Sequence, residues 1–102
     1  MKNYRIGTLN GCIHKENDDL WIIINSIAFK KGLAIRANKT TTSLRFTGQV
    51  SYVILKPDFT NYARTSKDCV WWVQAPYTRY YKPSICGERA ALKTLINRLG
   101  EI

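Results

Sequence analysis

Trp71-Trp72, followed by Tyr77, Arg79, Tyr80, Tyr81 and Lys82, is the densest run of chemically expressive residues in this sequence. Aromatic faces stack on unpaired bases and interleaved cations contact phosphates, with each stacked base worth about 1–3 kcal/mol. The same residue types dominate protein–protein hot spots, so the run describes a binding face before it describes a ligand. In a strand the two tryptophans point to opposite sides of the sheet, so at most one is core while the other is exposed or covered by a second layer; Trp72 is the candidate contact.

Covalent chemistry has little to work with. Cys12 and His14 form a single C-x-H, and Cys69 and Cys86 stand far away, without the close ligand pairs of a structural zinc site. A buried cysteine, a surface histidine, no metal and no cofactor are the expectations. The one histidine has no nucleophile and acid partner at recognisable spacing, and a tyrosine nucleophile beside Arg79 has no supporting motif. Asp18-Asp19 suits a helix N-terminus better than a metal site. With no glycine-rich phosphate loop either, the chain is expected not to be an enzyme.

Charge carries more information. Sixteen Lys and Arg against seven Asp and Glu give a net charge of +9 over 102 residues, a positive field that draws anionic partners. No acid lies between Asp19 and Asp58, whereas Lys30, Lys31, Arg36, Lys39, Arg45 and Lys56 all do. Each cation placed on a phosphate releases a condensed counterion, so this segment supplies salt-dependent affinity for DNA or RNA. Arg64, in a polar stretch after Pro57, and Arg89 and Lys93, one turn apart near the C-terminus, extend the candidate surface.

The elements that position these groups follow from pattern. Length and 45% apolar content predict one α+β domain spanning residues 1–102. Tyr4–Leu9 and Cys12–His14 around Asn10-Gly11 predict a hairpin with a two-residue turn. Residues 18–31 begin with acids and end in lysines and Gly32, predicting a helix with Leu20, Ile23, Ile24 and Ile27 on its buried face. Alternation predicts strands at 33–37 and 43–47 around a polar turn at 38–42, then 50–56, which Pro57 stops. A surface loop over 57–68 leads to a strand at 69–75. Ser84 is the expected N-cap of a second helix, 85–99, burying Leu92, Leu95, Ile96 and Leu99 and leaving Glu88 on a wetter face. The expectation is a twisted antiparallel sheet of about five to six strands with two helices.

The longest apolar run, Leu20 to Ile24, is too short to span a bilayer, and the N-terminus has no secretory pattern, so no membrane and a cytoplasmic location are expected. The leading expectation is a non-enzymatic nucleic-acid-binding protein using a basic sheet face and aromatic stacking. The alternative is a small phage or mobile-element inhibitor, an anti-CRISPR protein being one concrete form, that docks on an acidic patch of a nucleic-acid-processing protein. A homodimer through an edge strand or the aromatic face is compatible with both.

Overall fold

The computed structural model describes residues 4–7, 11–42, 47–75 and 83–102. Strands β1 (Tyr4–Gly7) and β2 (Gly11–His14) pair antiparallel, with Gly7 opposite Gly11. The expected hairpin is present, but Gly11 belongs to the second strand and not to the turn. Its connection, residues 8–10, lies outside the described residues.

A single 3-10 turn, Lys15–Asn17, leads into helix α1 (Asp18–Lys30). Asp18 and Asp19 occupy its first turn, where carboxylates meet the positive end of the helix dipole. At the other end Gly32 takes a φ of 73°, a left-handed conformation that a Cβ would strain. The Gly32 N–H donates to the Phe29 carbonyl at 3.0 Å and the Leu33 N–H to that of Ala28 at 2.8 Å, satisfying carbonyls that the helix leaves open. The buried face is rotated from the expected one: Leu20, Trp21, Ile24 and Ala28 are buried, Ile27 is half-buried and Ile23 is exposed. Trp21 sets the rotation. Its ring packs edge-on against Tyr52 with centroids 6.3 Å apart, and burying an indole removes more apolar surface from water than burying Ile23 would.

Strands β3 (Ala34–Thr42), β4 (Thr47–Leu55) and β5 (Cys69–Gln74) form a three-stranded antiparallel sheet in the order β3-β4-β5. The pairing of β3 with β4 is continuous from Ala34↔Leu55 to Thr42↔Thr47. The polar stretch Asn38–Thr42 is therefore strand and not turn, because the β-branch of threonine favours extended backbone whatever its polarity. Of the strand expected at 43–47, Thr47 opens β4 and residues 43–46 lie outside the described residues. Among the described residues the strands divide into a hairpin and a three-stranded sheet, in place of the one larger sheet expected.

Alternation along the sheet separates two faces. Ile35, Val50, Tyr52 and Ile54 are buried on the inner face, with Ala37, Trp71 and Val73 packed beside them. That face meets α1 and helix α2 (Ile85–Glu101), whose Leu92, Leu95 and Leu99 are fully buried and whose Ile96 is half-buried. Ser84 caps α2 as expected, its Oγ accepting the Gly87 N–H at 2.9 Å. Glu88 departs from expectation and is completely buried. Among the described residues no helix is long and apolar enough to cross a membrane.

Candidate functional site

The outer face of the sheet gathers cations and aromatics. Arg36 pairs with Val53 and Val53 with Trp72, so the three form one cross-strand row, and Asn38, Ser51 and Gln74 form the next row on the same side. The connection from Lys56 to Asp68 folds back over these rows. Asn38 Nδ2 donates to the Tyr62 carbonyl, while Arg64 Nη1 donates to Gln74 Oε1 at 2.7 Å and to Ser51 Oγ at 3.4 Å. Val53 and Leu55 are fully buried on this second face, which shows how closely the connection covers it.

Asp68 organises the connection from within. Its carboxylate accepts the N–H of Thr60 at 3.0 Å and of Asn61 at 3.3 Å. The Thr60 hydrogen bond above all, then that of Asn61 and the charges of Lys67 and Lys56, hold its carboxyl below the usual aspartate range. The loop thereby keeps its aromatics in place. The Arg36 guanidinium lies 5.4 Å from the Phe59 ring centroid and 5.2 Å from that of Tyr62, and the Arg64 guanidinium lies 4.7 Å from the Trp72 ring. Such cation–π contacts contribute about 0.5–1 kcal/mol each at exposed sites. Trp72 nevertheless remains 40% exposed and Tyr62 50% exposed, so both rings offer surface to a partner.

The tryptophans divide as alternation requires. Trp71 packs against the core, and Arg98 of α2 lies 5.5 Å from its ring centroid. Among the other predicted site residues, Arg36, Lys56, Arg64 and Trp72 come together on or beside the outer face. Lys39 lies in β3 opposite Val50. Lys30 and Lys31 are exposed at the end of α1, in the helical layer on the other side of the sheet. Lys93 is exposed on α2, but Arg89 is engaged within the protein: its Nη1 donates to Asn17 Oδ1 at 3.2 Å and pairs with Asp19 at 3.4 Å. That hydrogen bond holds the Asp19 carboxyl below its ordinary range. Arg45, Tyr77, Arg79, Tyr80, Tyr81 and Lys82 lie outside the described residues. Phe59, Tyr62 and Gln74 are the contributors that the sequence pattern did not single out. The only signal was two aromatics three residues apart in a polar loop.

A second polar constellation sits beneath α2. Glu88 Oε1 accepts the backbone N–H of His14 at 2.9 Å and Asn17 Nδ2 at 2.8 Å, and Glu88 Oε2 lies 3.4 Å from the Tyr52 hydroxyl. His14 is itself buried, not at the surface as expected, with Nε2 2.8 Å from the Pro83 carbonyl. Asn17 Nδ2 also reaches the Ile85 carbonyl at 3.1 Å. Burial pushes the Glu88 carboxyl above the ordinary glutamate range, although Asn17, His14 and Tyr52 favour its charged form. The cluster links the β2–α1 junction and Tyr52 of β4 to the start of α2. Among the described residues no group of three or more His, Cys, Asp or Glu could hold a metal ion.

No family model, no curated protein and no solved structure matches this chain. The functional reading therefore rests on the geometry of the outer face and the charge of the molecule.

Proposed function

We propose that this protein is a non-enzymatic, cytoplasmic nucleic-acid-binding protein whose ligand lies along the outer face of the sheet. The observation that carries the reading is Trp72, 40% exposed beneath the Arg64 guanidinium on the same face as Arg36, in a molecule of net charge +9. A base and a guanidinium compete for the same aromatic face. An arriving base stacks on Trp72 while Arg64, displaced from the ring, turns to a neighbouring phosphate, so one side-chain movement serves both contacts. Arg36 and Lys56 add backbone contacts, and Tyr62 offers a second ring. Recognition of this kind follows the phosphate backbone and shows little sequence preference.

The test is fluorescence anisotropy with labelled single-stranded DNA, duplex DNA and RNA. Trp72→Ala should weaken binding to single strands by about tenfold, the equivalent of one lost stack. Equal binding of all three ligands by the native protein and by W72A would remove stacking from the mechanism.

One feature favours a second reading, in which the protein inhibits a nucleic-acid-processing protein in the manner of a phage-encoded antagonist. Val70, 41% exposed, follows the alternation of Trp72 in β5 and adds an apolar element that phosphates do not require. An aromatic, an arginine and an aliphatic side by side suit a protein hot spot. Capture of one stoichiometric protein after nuclease treatment, lost in W72A, would favour this reading over the first.

A further inference from the structure

Beside the row of Arg36, Val53 and Trp72 runs a row without charge, Asn38, Ser51 and Gln74. Ser51 and Gln74 are direct cross-strand partners, so their side chains stand next to each other on the outer face. One group spans both. Arg64 Nη1 donates to Gln74 Oε1 at 2.7 Å and to Ser51 Oγ at 3.4 Å, while the same guanidinium lies 4.7 Å from the Trp72 ring centroid. A single planar donor thus covers an aromatic face and two oxygen acceptors together. Arg64 itself is exposed and free to move, whereas Ser51 is only 4% exposed and Gln74 half-buried.

The inference rests on the outer-face reading, in which an arriving base displaces Arg64 from Trp72. The ligand must then replace what the guanidinium supplied. Stacking replaces the ring contact, but it does not replace the donor, and half-buried or buried acceptors left without one oppose binding. Because recognition here has little sequence preference, the new donor belongs to a part that every nucleotide shares. Phosphate oxygens and the ring oxygen of the sugar only accept. Base edges present their donors in positions that differ from base to base. The ribose 2′-hydroxyl is the one donor common to all nucleotides, and DNA lacks it.

We propose that the outer face selects single-stranded RNA over single-stranded DNA, the 2′-hydroxyl of the nucleotide stacked on Trp72 donating to Gln74 Oε1 and accepting from the Ser51 hydroxyl. A hydroxyl both donates and accepts, so it satisfies both side chains at the place that Nη1 leaves. The reach required is already spanned by Arg64, whose guanidinium meets the ring and both oxygens at once. Gln74 and Ser51 are then the specificity-determining residues, and Arg64 occupies their site in the free protein.

Fluorescence anisotropy with labelled oligouridylate and oligodeoxyuridylate of one length tests it, since the two strands share bases and charges and differ only in the 2′-hydroxyl. The native protein should bind the RNA strand about tenfold tighter, the equivalent of one to two net hydrogen bonds. Gln74→Ala should reduce that ratio to about twofold, and Ser51→Ala should reduce it partway, each with an unchanged circular dichroism spectrum. The ratio is the readout, because losing Gln74 also loosens Arg64 for both ligands. Arg64→Ala should weaken both strands and keep the ratio. Equal affinity of the native protein for the two strands, a ratio unchanged in both Q74A and S51A, or a ratio lost in R64A alone would overturn the RNA selection and leave the outer-face reading standing. Failure to bind either strand at low salt would overturn both.

Discussion

The Arg64 guanidinium lies 4.7 Å from the centroid of the Trp72 ring, and its Nη1 also donates to Gln74 Oε1 at 2.7 Å, on the same strand. The loop's one arginine thus rests over the exposed tryptophan, and neither side chain belongs to the core. Stability and binding should consequently separate at adjacent residues. Trp72→Ala should change unfolding free energy by less than about 1 kcal/mol, whereas Trp71→Ala, which empties a site packed against the core, should destabilise by about 2–4 kcal/mol. Urea denaturation of both variants checks this, and equal losses would mean that Trp72 is a packing residue too.

A separate prediction concerns Glu88. Removing its carboxylate in Glu88→Ala leaves the His14 N–H and Asn17 amide without their buried acceptor, so the variant should lose about 3 kcal/mol of stability. Glu88→Gln retains an acceptor for those donors and should lose less than half as much in the same denaturation experiment.

The raised carboxyl of Glu88 also fixes a sign for pH dependence. A carboxyl that binds its proton more tightly when folded stabilises the fold fully at pH below its unfolded value, and this contribution falls as pH rises through the folded value. Native-protein stability, measured relative to E88Q, should therefore decline as pH climbs from the ordinary glutamate value of 4.5. Asp19 and Asp68, whose carboxyls are held low, act in the opposite sense and only as pH falls below their ordinary 3.8. A native-minus-E88Q difference that rises with pH above the glutamate value would contradict the assignment.

The helix ends yield a smaller, independent check. Ser84→Ala removes the acceptor for the Gly87 N–H and should lower stability by about 1 kcal/mol, and Gly32→Ala should do the same by forcing a Cβ into a left-handed conformation. Thermal melts of the two variants measure both effects.

These ends were also the parts of the fold most legible in the sequence. Ser84 and Gly32 announce local backbone geometry that does not depend on distant neighbours, and they mark the start of α2 and the end of α1, whereas α2 runs through Gly100 to Glu101, past the expected end at Leu99. Asn38–Thr42 misled because its polarity resembles a turn, while its extended conformation is decided by pairing with β4. Glu88 was unreadable for a related reason: its donors, His14 and Asn17, are more than seventy residues away in the chain. At the candidate site, alternation correctly divided Trp71 from Trp72. The folding of the 56–68 connection onto Arg36 and Gln74 could not be foreseen, because a loop's landing place follows from tertiary contacts and leaves no period in the sequence. Arg89 shows the converse, a cation at a surface-like helical position that Asn17 and Asp19 already engage.

The most direct test of the central claim is the affinity of the native protein, Arg36→Ala and Arg64→Ala for labelled single-stranded DNA across a salt series. Each phosphate contact contributes a slope of about −0.7 in log affinity against log salt. The outer-face account predicts a steep negative slope for the native protein, made shallower by about 0.7 in each variant. An affinity insensitive to salt, or slopes identical in all three proteins, would contradict it.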